Sequence, residues 1–199
     1  MHFDFKELIQ TYSYFLIFPI VFAESGLLIG FFLPGDSLLF TAGFLASQGF
    51  LNIWILAIGC FICAVLGDSV GYSFGHKVGR RLFKMKESFL FNPKHLDTAE
   101  KFYEKHGKKT IILARFVPVV RTFAPIVAGI GRMEYKTFFA YNVVGGFLWG
   151  VLITLLGYFL GHLIPDVDKY LLPILAVIIV ASIAPTVVHL LQERKHSSK

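Results

Sequence analysis

Charge is scarce in this chain and unevenly placed. Only 16% of the 199 residues are charged, whereas 55% are hydrophobic, and the mean hydropathy is +0.65. So little charge excludes an ordinary soluble domain. Uncharged stretches run from Ser37 to Gly67 and from Thr137 to Pro165, and each is longer than the roughly 20 apolar residues that cross a bilayer. The chain is therefore expected to be an integral membrane protein.

Familiar signatures of metal and nucleotide sites are also missing. The sequence holds no His-Glu-x-x-His pair, no phosphate loop and no dinucleotide fingerprint. We therefore predict no metal, no cofactor, no catalytic residues and no ATP-driven pump. Cys60 and Cys63 have the spacing of a redox pair, but their apolar surroundings favour small residues on a helix face instead.

The basic residues indicate how the chain sits in its membrane. A formal net charge of +6 would suggest nucleic acid in a soluble protein, but the hydropathy argues against that partner. Ten of the 19 Lys and Arg residues lie between Lys77 and Lys109. The positive-inside rule places this loop and the basic tail in the cytoplasm, and Asp166–Lys169 outside. With an uncleaved N-terminus, both termini are expected to be cytoplasmic.

Most of the chain is a duplicated unit. The segment Phe32-Leu33-Pro34-Gly35-Asp36 opens one repeat, and Phe116-Val117-Pro118-Val119-Val120-Arg121 occurs early in the other. Duplication with a proline-broken, charged segment in each half is typical of secondary transporters. Matched residues lie 86 positions apart: Gly43/Gly129, Gly59/Gly145, Gly71/Gly157, Tyr72/Tyr158, Gly75/Gly161 and His76/His162.

These patterns predict one all-α membrane domain over residues 1–199. Each repeat is a re-entrant helical hairpin followed by a transmembrane helix, and the opposite sidedness of the hairpins makes the repeats inverted. A second hairpin at Thr110–Gly131 avoids exposing Arg115 and Arg121 to lipid, which costs about 2.5–3.5 kcal/mol each. The predicted parts are a transmembrane helix at 8–31, repeat 1 at 32–79, a cytoplasmic amphipathic linker at 80–109, repeat 2 at 110–165 and a transmembrane helix at 170–190.

The linker contains a predicted helix between Asn92 and Gly107. Asn92 suits the N-cap, Pro93 the first helical position and Gly107 the C-cap. Its apolar face either lies in the membrane interface or packs on the protein.

Five ionisable residues interrupt apolar sequence and are the candidate functional residues: Glu24, Asp36, Asp68, Arg115 and Arg121. Asp36 and Arg121 follow Pro34 and Pro118 closely, so inverted symmetry would bring them together near the bilayer midplane. Structural alternatives remain for the other three. Glu24 could lock two helices, Asp68 could pair with a nearby base, and Arg115 could snorkel to the membrane surface.

The residue types favour an anion site. A guanidinium group binds phosphate at two points, and helix ends opened at Pro34-Gly35 and Pro118 leave backbone N–H groups free to assist. Because burial favours the neutral form of a carboxylic acid, Glu24 or Asp36 could carry a transported proton. They could equally be permanent counter-ions of the arginines. His76 and His162 fall at span ends, where a boundary or packing role is favoured over metal binding.

Three linked motifs resemble the DedA family of bacterial inner-membrane proteins. They are Phe32–Ser37, the Gly67-Asp68-x-x-Gly71-Tyr72-x-x-Gly75 segment, and the segment from Arg115 to Gly129 that includes Pro118, Arg121 and Pro125. The family shares its core with eukaryotic VTT-domain lipid scramblases. The resemblance implies two inverted hairpin units, lipid translocation and proton-motive-force linkage.

The resemblance also implies specific roles. It matches the family's essential acids to Glu24 and Asp36, and its essential arginines to Arg115 and Arg121. We therefore expect a flippase that recycles undecaprenyl phosphate, with Asp68, Pro34, Gly35, Pro118 and Pro125 in support. A small-ion or drug exporter, a general phospholipid scramblase and an integral-membrane lipid phosphatase are the alternatives. The expected partners are a lipid phosphate and the bilayer, and homo-oligomerisation stays open.

Overall fold

The fold is described from a computed structural model covering residues 5–27, 35–78 and 93–163. All regular structure in these ranges is helical, as predicted. The helices are α1 (Phe5–Gly26), α2 (Gly35–Ser47), α3 (Ile53–Val78), α4 (Pro93–His106), α5 (Thr110–Leu113), α6 (Pro118–Ile130), α7 (Tyr135–Gly146) and α8 (Leu152–Leu163), with 3₁₀ turns at Gly107–Lys109 and Ala114–Phe116 and a π-helical turn at Phe147–Val151. Pro34 and the predicted helix at 170–190 lie outside the described residues.

Two of the described helical segments are long and apolar enough to cross a membrane. They are Ile53–Val78 and the continuous stretch Tyr135–Leu163, which joins α7, the π turn and α8. An exposed apolar stripe recurs every four residues along α3, as expected for a helix facing lipid. Its members are Trp54, Ile58, Ile62, Leu66 and Val70.

Four helix pairs form the body of the bundle. α1 packs against α3, α2 against α8, α3 against α6, and α4 against α6. The α1–α3 contact depends on small residues, because a Cβ atom at Gly26 would overlap the carbonyl of Gly67. The largest buried apolar cluster joins α1, α2 and α3 to Trp149 on the π turn. α3 is therefore the central helix, since it contacts both α1 and α6.

The linker helix lies on the protein. α4 begins at Pro93 and ends beside Gly107, whose φ of +58° is the left-handed conformation favoured after a helix C-terminus. Phe102 and Tyr103 pack against the apolar cluster of α6. The Tyr103 hydroxyl donates to the Ala124 carbonyl at 3.0 Å, and burial raises the pKa of this hydroxyl. The apolar face of α4 thus covers α6.

Candidate functional site

A break in the helical backbone places the two buried arginines. The 3₁₀ turn Ala114–Phe116 ends at Val117, whose φ of −123° and ψ of 104° are extended, and α6 begins at Pro118. A residue before proline is disfavoured in the helical region, so Pro118 accounts for the break. Arg115 precedes the break and Arg121 follows it, which lets both side chains enter the bundle.

Arg121 is held by two carboxylates from the first half of the chain. One guanidinium nitrogen, Nη2, donates to Glu24 on α1, and Nη1 donates to Asp36 on α2 at 3.0 Å. The Glu24 side chain is fully buried and that of Arg121 is 6% exposed, whereas that of Asp36 is 53% exposed. Asp36 is therefore the acid at the mouth of the site, and Glu24 is its inner acid.

Arg115 forms a second, deeper cluster. Its Nη2 donates to the carboxylate of Asp68 on α3 at 2.6 Å and to the carboxamide oxygen of Asn142 on α7 at 2.5 Å. The Asn142 amide in turn donates to the Val65 carbonyl at 3.0 Å. Arg115 is only 1% exposed, so the snorkelling alternative is wrong. The predicted pairing of Asp68 with a base is present.

Trp149 connects the two arginine clusters. Its indole N–H donates to Asp36 Oδ1 at 2.5 Å, the same atom that accepts from Arg121. The guanidinium carbon of Arg121 lies 4.9 Å from the indole centroid and that of Arg115 lies 6.0 Å away, both within cation–π range. Arg121 Nη1 also lies 3.4 Å from the Arg115 carbonyl. The two clusters therefore form one site.

The predicted supporting residues shape the edge of this site. Gly35 is the first residue of α2, and a Cβ atom there would overlap the Glu24 carboxylate. The N-terminus of α2 thus faces an anion, which the dipole of a helix favours at this end. Pro125 lies inside α6, 3.4 Å from the Cβ position of Gly71.

Several donors of the arginines have no hydrogen-bond partner among the described residues. These are Nε and Nη1 of Arg115 and Nε of Arg121, all buried. Oε2 of Glu24, Oδ1 of Asp68 and the Ser25 hydroxyl are also buried without such a partner. Buried polar groups are normally satisfied, so unpaired guanidinium donors are a feature that an anionic ligand would correct.

The charged residues are asymmetric despite the duplication. Every acid of the site comes from the first half and both arginines from the second. The positions 86 residues after Glu24, Asp36 and Asp68 are the buried threonines Thr110, Thr122 and Thr154. The duplicated scaffold therefore carries a single ionic site, at the contact between its halves.

Asn142 and Trp149 are site residues that the sequence did not single out. Their counterparts in the first repeat are Leu56 and Cys63, so the duplication offers no signal for them. The π turn at Phe147–Val151, which contains Trp149, is a local irregularity common at functional sites but not encoded by a recognisable motif.

Other chemically suggestive residues lie apart from the arginines. The ring of His76 stacks on Tyr72, and the ring of His162 contacts Tyr158, in each case one turn earlier on the same helix. Cys60 and Cys63 are free thiols. The stretch Gly67–Gly71 has the sequence Gly-x-Ser-x-Gly and, unlike those residues, borders the site, because it contains Asp68. It lies within α3, where the Ser69 hydroxyl donates to the Val65 carbonyl and lies 3.5 Å from the Asn142 amide nitrogen.

Comparison with known proteins identifies the family. The VTT domain model matches residues 33–159. The chain is 46% identical to Protein DedA of Escherichia coli K12, with all of this chain and 94% of the relative covered. It is 44% identical to an uncharacterised membrane protein of Mycobacterium leprae (85% of this chain, 75% of the relative). It is 35% identical to inner membrane protein YqjA of E. coli K12 (74% of this chain, 67% of the relative).

None of the solved structures in the comparison matches significantly. The matched region contains Asp36, Asp68, both arginines and Trp149, whereas Glu24 precedes it. Full-length identity to DedA and the VTT match agree with the resemblance seen in the sequence. This chain is a membrane protein of the DedA family.

Proposed function

We propose that this protein translocates an anionic lipid phosphate across the inner membrane, and that undecaprenyl phosphate is its substrate. The observation that carries the proposal is the pair of buried arginines with unpaired guanidinium donors. Phosphate oxygens accept from such donors in bidentate geometry. The choice of undecaprenyl phosphate comes from the family resemblance, and the site chemistry supports a phosphate headgroup more generally.

The charge balance supports proton linkage. The site holds three carboxylates, from Glu24, Asp36 and Asp68, and two guanidinium groups. With every group ionised the cluster has an excess of one negative charge, which is costly in a buried setting. Protonation of one acid would remove that excess. A phosphate and the carboxylates compete for the same arginines, so protonation also frees donors for the substrate.

Asp36 is the acid that best fits this exchange. Its half-exposed carboxylate is reachable from solvent, whereas Glu24 and Asp68 are buried. In the proposed cycle Asp36 takes up a proton and releases Arg121, which then binds the lipid phosphate. The carboxylate of Glu24 balances the positive charge of Arg121 until the lipid phosphate binds. The predicted inverted topology would expose this site alternately to each side.

The alternatives differ in measurable products. A small-ion or drug exporter would use the same acids but would not move lipid. A general scramblase would move phospholipids without preference for a phosphate monoester. A lipid phosphatase would release inorganic phosphate, and its nucleophile would have to lie near the arginines. Ser69 of the Gly-x-Ser-x-Gly stretch borders the Arg115 cluster, since its Oγ lies 3.5 Å from the Asn142 amide nitrogen, but its hydroxyl donates to the Val65 carbonyl on its own helix.

Arg121→Lys tests the proposal because it retains the charge and removes the forked donor. We expect this variant in liposomes to lose nearly as much flux of labelled undecaprenyl phosphate as Arg121→Ala, at least tenfold. The matched control is Arg132→Lys, which alters an exposed arginine on a surface turn and should leave flux unchanged. Full flux in Arg121→Lys would mean that Arg121 acts only as a point charge. Release of inorganic phosphate would favour the enzyme alternative.

A further inference from the structure

Two helix pairs in the bundle are duplicates of one another by sequence. α2 packs on α8, and α6 packs on α3. Adding 86 positions to α2 gives 121–133, which overlaps most of α6, and subtracting 86 from α8 gives 66–77, the second half of α3. In both pairs, a helix that follows a proline-marked segment crosses a helix with the repeated Gly-Tyr-x-x-Gly-His motif. The two crossings can therefore be compared residue by residue.

The α2–α8 crossing is built from two glycine–carbonyl contacts. A Cβ atom at Gly43 would overlap the carbonyl oxygen of Thr154, and one at Gly157 would overlap that of Phe40. The backbones approach so closely that only glycine fits on either side. Phe40 therefore docks at the first glycine of the repeated motif in α8.

The α6–α3 crossing has the same construction at a different place. A Cβ atom at Gly129 would overlap the carbonyl oxygen of Tyr72, and one at Gly75 would overlap that of Ile126. Ile126 is the counterpart of Phe40, but Gly75 is the second glycine of the motif, not the first. The two crossings are thus offset by four residues, about one helical turn or 6 Å.

Each motif has a second glycine, Gly71 in α3 and Gly161 in α8, that does not receive the carbonyl oxygen in its own crossing. Its place in the motif is the one that receives the carbonyl oxygen in the other crossing. At Gly71 an added Cβ would have its nearest neighbours at 3.4 Å, which is ordinary contact. At Gly161 it would lie 2.0 Å from Oγ and 3.0 Å from Cβ of Ser47, so this side chain would have to move. The observed packing therefore leaves room for a methyl group at Gly71, whereas at Gly161 the obstacle is a small side chain.

We propose that the two crossings exchange registers during transport. In the exchanged state Phe40 docks at Gly161 and Ile126 docks at Gly71. This inference deepens the proposed transport function by naming its motion. Both states make the same backbone contacts on glycine, so they are close in free energy, as a two-state transporter requires.

The exchange would act directly on the charged site. Asp36 on α2 contacts Trp149 on the turn preceding α8, and a slip of one turn along α8 moves Asp36 away from that indole. The matching slip of α6 along α3 moves Arg121 relative to Glu24 on α1, which packs on α3. Register exchange thus weakens the bonds of Arg121 to Glu24 and Asp36 and makes its guanidinium group available to an anion.

Gly71→Ala tests the exchange with a substitution that the observed register accommodates. We expect the purified variant to keep its thermal unfolding midpoint but to lose lipid flux at least tenfold, because the methyl group occupies the docking place of the Ile126 carbonyl. Gly75→Ala is the matched control and should lower the unfolding midpoint, since it removes the observed contact. Wild-type flux in a stable Gly71→Ala protein would overturn the proposal.

Disulfide trapping tests whether the protein must leave the observed register. With Cys60 and Cys63 replaced by alanine, Ser47→Cys with Gly161→Cys should cross-link in the observed register. The Cβ position of residue 161 is 3.0 Å from Cβ of Ser47, about 0.5 Å below the ~3.5–4.5 Å of disulfides, so the bond needs only a small separation of the helices. Because the exchanged register needs glycine at position 161, we expect this double variant to lose lipid flux even after its disulfide is reduced. Ser47→Cys alone is the matched control and should keep wild-type flux.

The outcomes separate this inference from the proposed function. Efficient cross-linking together with wild-type flux in the reduced double variant would overturn register exchange while leaving lipid transport in place. Absence of lipid flux in the wild-type protein would contradict the proposed function instead.

Discussion

At the scale of single residues, most of the candidate site consists of charged side chains that can be recognised from the sequence alone. Charged side chains stand out in apolar sequence, so Glu24, Asp36, Asp68, Arg115 and Arg121 were predictable, and the structure brings all five together. Asn142 and Trp149 were not predictable as site residues, because an amide or an indole side chain does not stand out in a membrane helix. Which acid pairs with which arginine also required three-dimensional structure.

Trp149 offers a test at this scale. Trp149→Phe keeps an aromatic ring over the arginines but removes the N–H donor to Asp36. A hydrogen bond to a charged group is worth about 1.5–3 kcal/mol, so we expect lipid flux to fall roughly tenfold or more. Trp54→Phe, in the exposed apolar stripe, is the matched control and should have no effect. Equal flux in both variants would exclude a role for the indole N–H.

At the scale of elements, prolines and glycines set the local structure. The helix break before α6 follows from Pro118, and the end of α4 follows from Gly107, so both were predictable. The register of the two crossings could not be predicted from the sequence. Each repeated motif offers two glycines one helical turn apart, and the choice between them depends on packing between distant segments. The π turn at Phe147–Val151 likewise has no sequence signature.

The Arg115 cluster makes a prediction about helix association. Asp68 on α3, Arg115 and Asn142 on α7 hold three segments together through buried bonds. Asp68→Asn leaves Arg115 uncompensated and should destabilise the protein by about 3–5 kcal/mol. Asp68→Leu combined with Arg115→Met removes both charges and should be milder, as measured by unfolding in detergent. A double variant less stable than Asp68→Asn would contradict this account of the pair.

At the scale of the whole molecule, the predicted topology determines how the site meets the two sides of the membrane. The positive-inside rule places the loop Lys77–Lys109 in the cytoplasm and Asp166–Lys169 outside. Family membership establishes the membrane location, and the described helices supply two segments of spanning length. The inverted arrangement of the repeats remains a prediction.

Single-cysteine labelling tests that topology. After Cys60 and Cys63 are replaced, a cysteine at Lys101, on the exposed side of α4, should react with a membrane-impermeant reagent only in permeabilised cells. Asp166 is predicted to lie outside the cell membrane, so a cysteine at this position is the matched control and should react in intact cells. Labelling of the Lys101 position from outside would contradict the inverted repeats.

The central claim is that the acids of this site couple lipid movement to protons. Flux of labelled undecaprenyl phosphate, measured in liposomes against an imposed pH difference, tests it most directly in wild type, Glu24→Gln and Asp36→Asn. We predict that Asp36→Asn loses gradient-driven accumulation while retaining slow equilibration, because Arg115 and Arg121 remain. Glu24→Gln, which removes only the inner counter-ion of Arg121, should keep its dependence on the pH difference at a lower turnover. If the acids only balance charge, their removal would tighten anion binding and slow turnover. Unchanged dependence of flux on the pH difference in both variants would contradict proton coupling.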